Sequence, residues 1–190
     1  MEIVLIRHGE SEANRINREE YPLFCGRWDC ELTEKGRKQA ESLKNDPAVS
    51  GADALYSSPL KRARETAESF WDKEIIFDDR LVERTLGVFD GRRISDVEND
   101  PLYAKYFTDP EYSDFRSGFT ARAPGGENYG DVEKRVSSFI NDVMKKGYSK
   151  VVVVSHVCVV RCFLKILKGL TEEETPFLKI VQCEPVILTV

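Results

Sequence analysis

Histidine occurs twice in this chain, at His8 and His156, and each directly follows an aliphatic run. Ile3-Val4-Leu5-Ile6 leads through Arg7 to the first, and Val151-Val152-Val153-Val154 leads through Ser155 to the second. A lone histidine closing a buried strand needs no explanation beyond hydrogen bonding. Both of the chain's histidines in the same setting point instead to a shared site. Ligands of parallel sheets bind beyond the carboxyl ends of the strands, where Arg7 and His8 would sit, and Gly9 lets the backbone approach a ligand closely. Arg62 falls in the first turn of an expected helix, where a cation opposes the helix dipole unless an anion docks there. Glu83 lies in a loop that runs on to Gly87 and Gly91.

Two histidines, two arginines and a loop carboxylate converging on strand ends suit an anion with several oxygens. Phosphate fits best, because the planar guanidinium matches its oxygens bidentately. A histidine ringed by arginines is disfavoured as imidazolium, and neutral imidazole is a covalent nucleophile. The chain has no G-x-x-x-x-G-K-S/T loop and no G-x-G-x-x-G following a strand, so nucleotide cradling of those kinds is not indicated. No acidic cluster suits magnesium. The pairs Cys25 with Cys30 and Cys158 with Cys162 match no standard zinc spacing. Neither metal nor organic cofactor is therefore implied.

These residues need elements to position them. A near-continuous apolar run such as Ile3–Ile6 reads as a strand buried on both faces. Residues 15–31 read as a polar loop, and Thr33 caps a helix running to Leu43 and ending near Asp46-Pro47. A strand over 52–56 precedes Ser58-Pro59, predicted as the N-cap and first residue of the helix carrying Lys61, Arg62 and Arg64. Ile75–Phe77 is a third strand. Residues 94–123, broken at Pro101 and Pro110 and rich in Tyr and Phe, form a helical insertion with its own packing core. Asn128 and Asp131 form a capping box for a helix whose stripe is Val132, Val136, Phe139, Ile140 and Val143. A helix from about Cys158 to Lys168, ended by Gly169, leads to a last strand, Val186–Val190. Alternating strands and helices imply an α/β fold: a three-layer αβα sandwich with a mostly parallel central sheet. Residues 1–190 are expected to form one domain, with the insertion at about 94–123 capping the site.

Apolar residues make up 41% of the chain and charged residues 32%, ordinary values for a globular protein. The net charge of −5 argues against nonspecific nucleic-acid binding. No stretch approaches the roughly 20 apolar residues of a membrane span. The first residues enter a strand, so no signal peptide is expected. Five cysteines without a paired pattern suggest free thiols in a reducing cytoplasm.

Taken together, Arg7-His8-Gly9-Glu10-Ser11 through Asn14, Ser57-Ser58-Pro59-Leu60-Lys61-Arg62-Ala63, Leu81-Val82-Glu83 with Gly87 and Gly91, Pro124-Gly125-Gly126-Glu127, and Ser155-His156 resemble the motifs of the histidine phosphatase superfamily, the phosphoglycerate mutase-like family, in the family's order. The resemblance implies a metal-independent phosphomonoesterase that acts on a small phosphorylated metabolite. His8 would attack phosphorus, while Arg7, Arg62 and His156 hold the phosphoryl oxygens. Glu83, with Asp90 a weaker rival, would protonate the leaving alkoxide and then deprotonate water. Ser11, Asn14, Cys25 and Gly26 would line the substrate side. The alternatives are mutase-type phosphoryl transfer and a noncatalytic phosphate-binding module.

Against the mutases, the insertion is short and Arg92-Arg93 lies too close to the acid loop to match their arginine pair. The C-terminal part is similar to the bisphosphatase domain that hydrolyses fructose 2,6-bisphosphate, in which comparison Arg122 is a second substrate-charge partner. Val157 stands where most relatives have glycine.

Overall fold

A computed structural model describes residues 1–190. In chain order the elements are β1 (Glu2–Arg7), α1 (Glu12–Glu19), α2 (Glu34–Glu41), β2 (Ala54–Ser57), α3 (Lys61–Phe70), β3 (Ile75–Phe77), the short helices α4 (Ile94–Glu98), α5 (Lys105–Thr108) and α6 (Pro110–Ser113), then α7 (Tyr129–Met144), β4 (Lys150–Ser155), α8 (Val157–Lys168) and β5 (Val186–Thr189). The strands form one sheet in the order β3-β2-β4-β1-β5, parallel except for the antiparallel edge strand β5.

Side chains alternate across a strand, and here both faces are covered. Ile3, Leu5, Val151 and Val153 pack with the buried stripes of α7 and α8, including Phe139 against Phe163. Val4, Ile6, Val152 and Val154 pack on the other side with Ala63, Ala67 and Phe70 of α3 and with Leu43 after α2. Each fully buried aliphatic of this kind contributes about 1.5–3 kcal/mol. The expected three layers are thus formed, and all five stripe residues of α7 are buried behind the Asn128–Asp131 capping box.

The aromatic residues of the insertion pack as their own core, as expected, but that core draws on more of the chain. Phe24 and Phe89, from outside 94–123, stack at 5.6 Å and join Tyr106 and Phe115. Phe119 leaves the group to pack on Tyr129 of α7. No helix is long and apolar enough to cross a membrane.

Two local expectations are corrected. Residues 15–31 are not all loop, because α1 runs to Glu19. It buries only Ala13, so no apolar periodicity betrays it. A capping box of Ser11 with Asn14 and the Arg15–Glu12 ion pair at 2.8 Å support it instead. Similarly, α3 begins at Lys61 and not at Pro59. Its N-cap, Leu60, offers no side-chain bond, and the Asp29 carboxylate accepts from Lys61 N at 2.7 Å. That carboxylate is the anion at the helix start.

The turn after β1 sits directly on α2. A Cβ placed on Gly36 would lie 2.0 Å from the Glu10 carbonyl oxygen, a backbone atom with no rotamer by which to escape. Gly36→Ala is therefore expected to destabilise the fold by about 2 kcal/mol or more, read as a fall in Tm of several degrees. An unchanged Tm would show that the α2 contact is not close-packed.

Candidate active site

In-register pairing of β1 with β4 sets Arg7 beside Ser155, so the residues that follow, His8 and His156, leave the sheet at the same level. Their ring centroids are 5.1 Å apart in an edge-to-face arrangement. His8 N donates to Ser155 O at 2.9 Å, locking the two strand ends together.

The protonation of His8 follows from its partners. Its Nδ1 lies 2.7 Å from Gly9 O. A carbonyl only accepts, so Nδ1 carries the proton and Nε2 presents a lone pair. Arg62 Nε donates to that Nε2 at 3.2 Å. Burial, and after it the Arg62 and Arg7 charges, hold the His8 pKa well below the ordinary imidazole value. His156 is displaced the same way, by burial first and Arg62 next. Its Nε2 bonds Ser58 Oγ at 2.8 Å, and its Nδ1 is buried without a partner.

Arg62 is held by Trp28 O at 2.8 Å and Gly26 O at 3.0 Å. Gly26 has φ +44, and a Cβ there would strike the Asp90 carboxylate at 1.6 Å, so glycine is required for this carbonyl to reach the guanidinium. Arg7 donates through Nη1 to Ile180 O at 2.8 Å, and its buried Nε has no partner.

Glu83 sits on a loop without regular structure, as expected, yet it is 92% buried. Three side chains fix that loop through four of its backbone carbonyls. Arg27 Nε donates to Glu83 O at 2.8 Å, Arg135 Nη1 to Arg80 O and Val82 O at 2.7 Å each, and Ser155 Oγ to Leu81 O at 2.7 Å. Arg84 does not pair its guanidinium with Glu83. It donates instead to Phe115 O and Arg116 O of the insertion, tying the acid loop to it.

A cavity of about 250 Å³ joins these groups. Arg7, His8, Ser11, Asn14, Cys25, Gly26, Arg62 and Glu83 all line it, whereas His156 lies just behind His8 and does not. Ser11 lines the wall with its hydroxyl already donated to Asn14 Oδ1 at 3.0 Å. Burial raises the Cys25 thiol to about 11, so it is a neutral wall atom. Sequence reasoning missed Asn17, Arg84 and Leu86 as lining residues. Asn17 follows Asn14 by one helical step, a pattern readable only once α1 is recognised as a helix.

Two predicted alternates fall outside. Asp90 accepts from Thr85 Oγ1 at 2.7 Å and Leu86 N at 2.8 Å, which makes it a brace of the acid loop. Arg122 is bound bidentately by Asp131 at 2.6 and 2.8 Å on a separate surface groove, so it is no second charge partner for this cavity. Arg92 and Arg93 stack on Tyr103 and Tyr21. The cavity thus offers an unprotonated imidazole nitrogen, three arginines and one carboxylate, a combination suited to moving a phosphoryl group.

Comparison with known proteins agrees with that chemistry. A family model described as the histidine phosphatase superfamily (branch 1) matches residues 3–190. Phosphoserine phosphatase 1 of Hydrogenobacter thermophilus is 33% identical, over 89% of this chain and 77% of its own. A 2,3-bisphosphoglycerate-dependent phosphoglycerate mutase of Methylobacterium radiotolerans is 31% identical over 97% of this chain and 87% of its own. Among solved structures, the alpha-ribazole phosphatase from Shigella flexneri has the same fold, with a TM-score of 0.83 at 24% identity, covering 100% of this chain and 91% of that one.

The neutral histidines have a consequence for stability. Below the ordinary imidazole pKa of about 6.5 the unfolded chain protonates both rings while the folded chain does not, so folding releases protons and stability falls as pH drops. Between about pH 6.5 and 5.5 each histidine is expected to contribute a slope approaching 1.4 kcal/mol per pH unit. Urea unfolding across that interval checks this, and His156→Asn should flatten the slope. A flat wild-type profile would mean that the folded rings are protonated.

Proposed function

Because the chain belongs to the histidine phosphatase superfamily (branch 1), we propose that it hydrolyses small phosphomonoesters through a phosphohistidine formed at His8 Nε2. The observation that carries this reading is the unprotonated His8 Nε2, held by a hydrogen bond from Arg62 Nε, in a cavity that also holds Glu83.

The phosphoryl group enters beside Arg62 and Arg7, which the backbone carbonyls hold in place, and their charges, with the unpartnered Nδ1 of His156 beside His8, take its oxygens. His8 Nε2 attacks phosphorus. The N–P bond forms as the ester P–O bond breaks, and Glu83 gives its proton to the departing alkoxide. Glu83, now a carboxylate, takes a proton from water, whose oxygen attacks the phosphohistidine. Phosphate leaves and His8 is restored as neutral imidazole. Charge neutralisation comes from side chains throughout.

A cavity of about 250 Å³ lined by Arg84, Asn14 and Asn17 suits a compact polar leaving group. The 33% identity to a phosphoserine phosphatase supports substrates of that size. Five free cysteines fit the assignment to a reducing cytoplasm. Mutase-type transfer is the second reading, favoured by the 31% identity to a phosphoglycerate mutase. Phosphoglycerate interconversion dependent on added bisphosphoglycerate would establish it.

Hydrolysis of p-nitrophenyl phosphate in EDTA is the primary test. His8→Ala is expected to abolish turnover, and near-normal activity would remove His8 as nucleophile. Glu83→Gln should slow alkyl phosphates by about 100-fold or more, but p-nitrophenyl phosphate far less in the first step, since its leaving group scarcely needs a proton. Rapid-quench measurement of that step separates the two. Equal slowing there would assign the proton to another group.

A further inference from the structure

The segment entering β5 touches the cavity from a side that no motif marks. Gln182 pairs with Arg7 in an isolated parallel bridge, and Cys183 N donates to Arg7 O at 2.9 Å. Two residues before Gln182, Ile180 O accepts from Arg7 Nη1. Cys183 holds φ +53, a left-handed conformation that L residues other than Asn and Asp rarely adopt. Backbone of this kind persists where its surroundings fix it, and here the fixed partner is Arg7.

The Gln182 side chain reaches further. Its Nε2 donates to Asn14 Oδ1 at 2.8 Å. The same oxygen accepts from Ser11 N at 3.1 Å and Ser11 Oγ at 3.0 Å. A backbone N–H can only donate, so the oxygen of the Asn14 amide must face Ser11, and the group meeting it from Gln182 must be the amide NH2. Asn14 lines the cavity, and its Nδ2 has no partner within the protein.

We infer that Gln182 is a positioning residue: by completing a three-donor cradle around Asn14 Oδ1, it holds the Asn14 NH2 as a donor to bound substrate. The inference rests on the proposed phosphomonoesterase reading of the cavity. Ser11 caps α1 and fixes one side of the amide, and Gln182 fixes the other. Without Gln182 the Asn14 amide loses the donor that arrives from outside its own helix turn.

The test is a double-mutant cycle on p-nitrophenyl phosphate hydrolysis with Gln182→Leu, Asn14→Ala and the pair. Gln182→Leu is expected to raise KM by about five- to tenfold with a smaller change in kcat, the size of one lost hydrogen bond. Asn14→Ala should do at least as much, and the double variant no more than Asn14→Ala alone. Losses that multiply would overturn the inference, as would wild-type kinetics for Gln182→Leu.

Gln182→Glu supplies a readout independent of packing. Its carboxylate cannot donate to Asn14 Oδ1, whereas its protonated form can, so activity relative to wild type should recover between about pH 8 and pH 4.5. The recovery should vanish in the Asn14→Ala background. A recovery that persists there would mark plain charge repulsion and overturn the inference. Wild-type protein with no turnover would instead defeat the phosphomonoesterase reading itself, which keeps the two failures distinct.

Discussion

The parallel pairing of β1 with β4 is the constraint on which the site depends. Parallel strands end at the same edge, so residues separated by most of the chain leave the sheet side by side. A one-residue slip in the register would turn Arg7 and His8 to the opposite faces. Burial on both faces of both strands makes such a slip costly, because Val4, Ile6, Val152 and Val154 would trade places with the residues that serve the α7–α8 layer. Core packing and the geometry of the site are thus the same specification.

Charge sets the second condition. The arginines around the cavity are bound largely by backbone carbonyls: Trp28 and Gly26 for Arg62, Ile180 for Arg7, Phe115 and Arg116 for Arg84. Carbonyl dipoles orient a guanidinium without cancelling its charge, whereas a paired carboxylate would. The cavity therefore keeps a positive potential suited to a phosphate dianion, and that potential adds to burial, the larger cause, in depressing the histidine pKa values. One arrangement accounts for both affinity for an anion and a neutral nucleophile.

The acid loop shows how irregular backbone becomes rigid. Arg27 and Arg135 share Glu127 at 3.0–3.1 Å while holding the carbonyls of residues 80, 82 and 83. Glu127 belongs to the Pro124-Gly125-Gly126-Glu127 stretch, so a conspicuous motif turns out to support a neighbouring loop. Val157 stands at the first position of α8, where valine meets no backbone restriction. Its side chain forms part of the cavity wall.

The sequence by itself determined the buried parallel strands, the α7 stripe and its capping box and part of the insertion's aromatic core, and it singled out His8, Arg62, Glu83 and His156, which the fold brings together. Strong apolar periodicity and rare residue types at strand ends are local signals. Helix α1 escaped because it is held by charges and a cap and buries a single alanine. The start of α3 escaped because its capping carboxylate, Asp29, comes from another part of the chain. Only the tertiary structure decided that Asp90 braces a loop, that Arg122 faces Asp131 on the surface, and that Arg84 and Asn17 line the cavity. Only there does Gln182 meet Asn14. Such contacts depend on which distant backbone groups the fold brings within hydrogen-bond reach, and no local pattern of residue types encodes that distance.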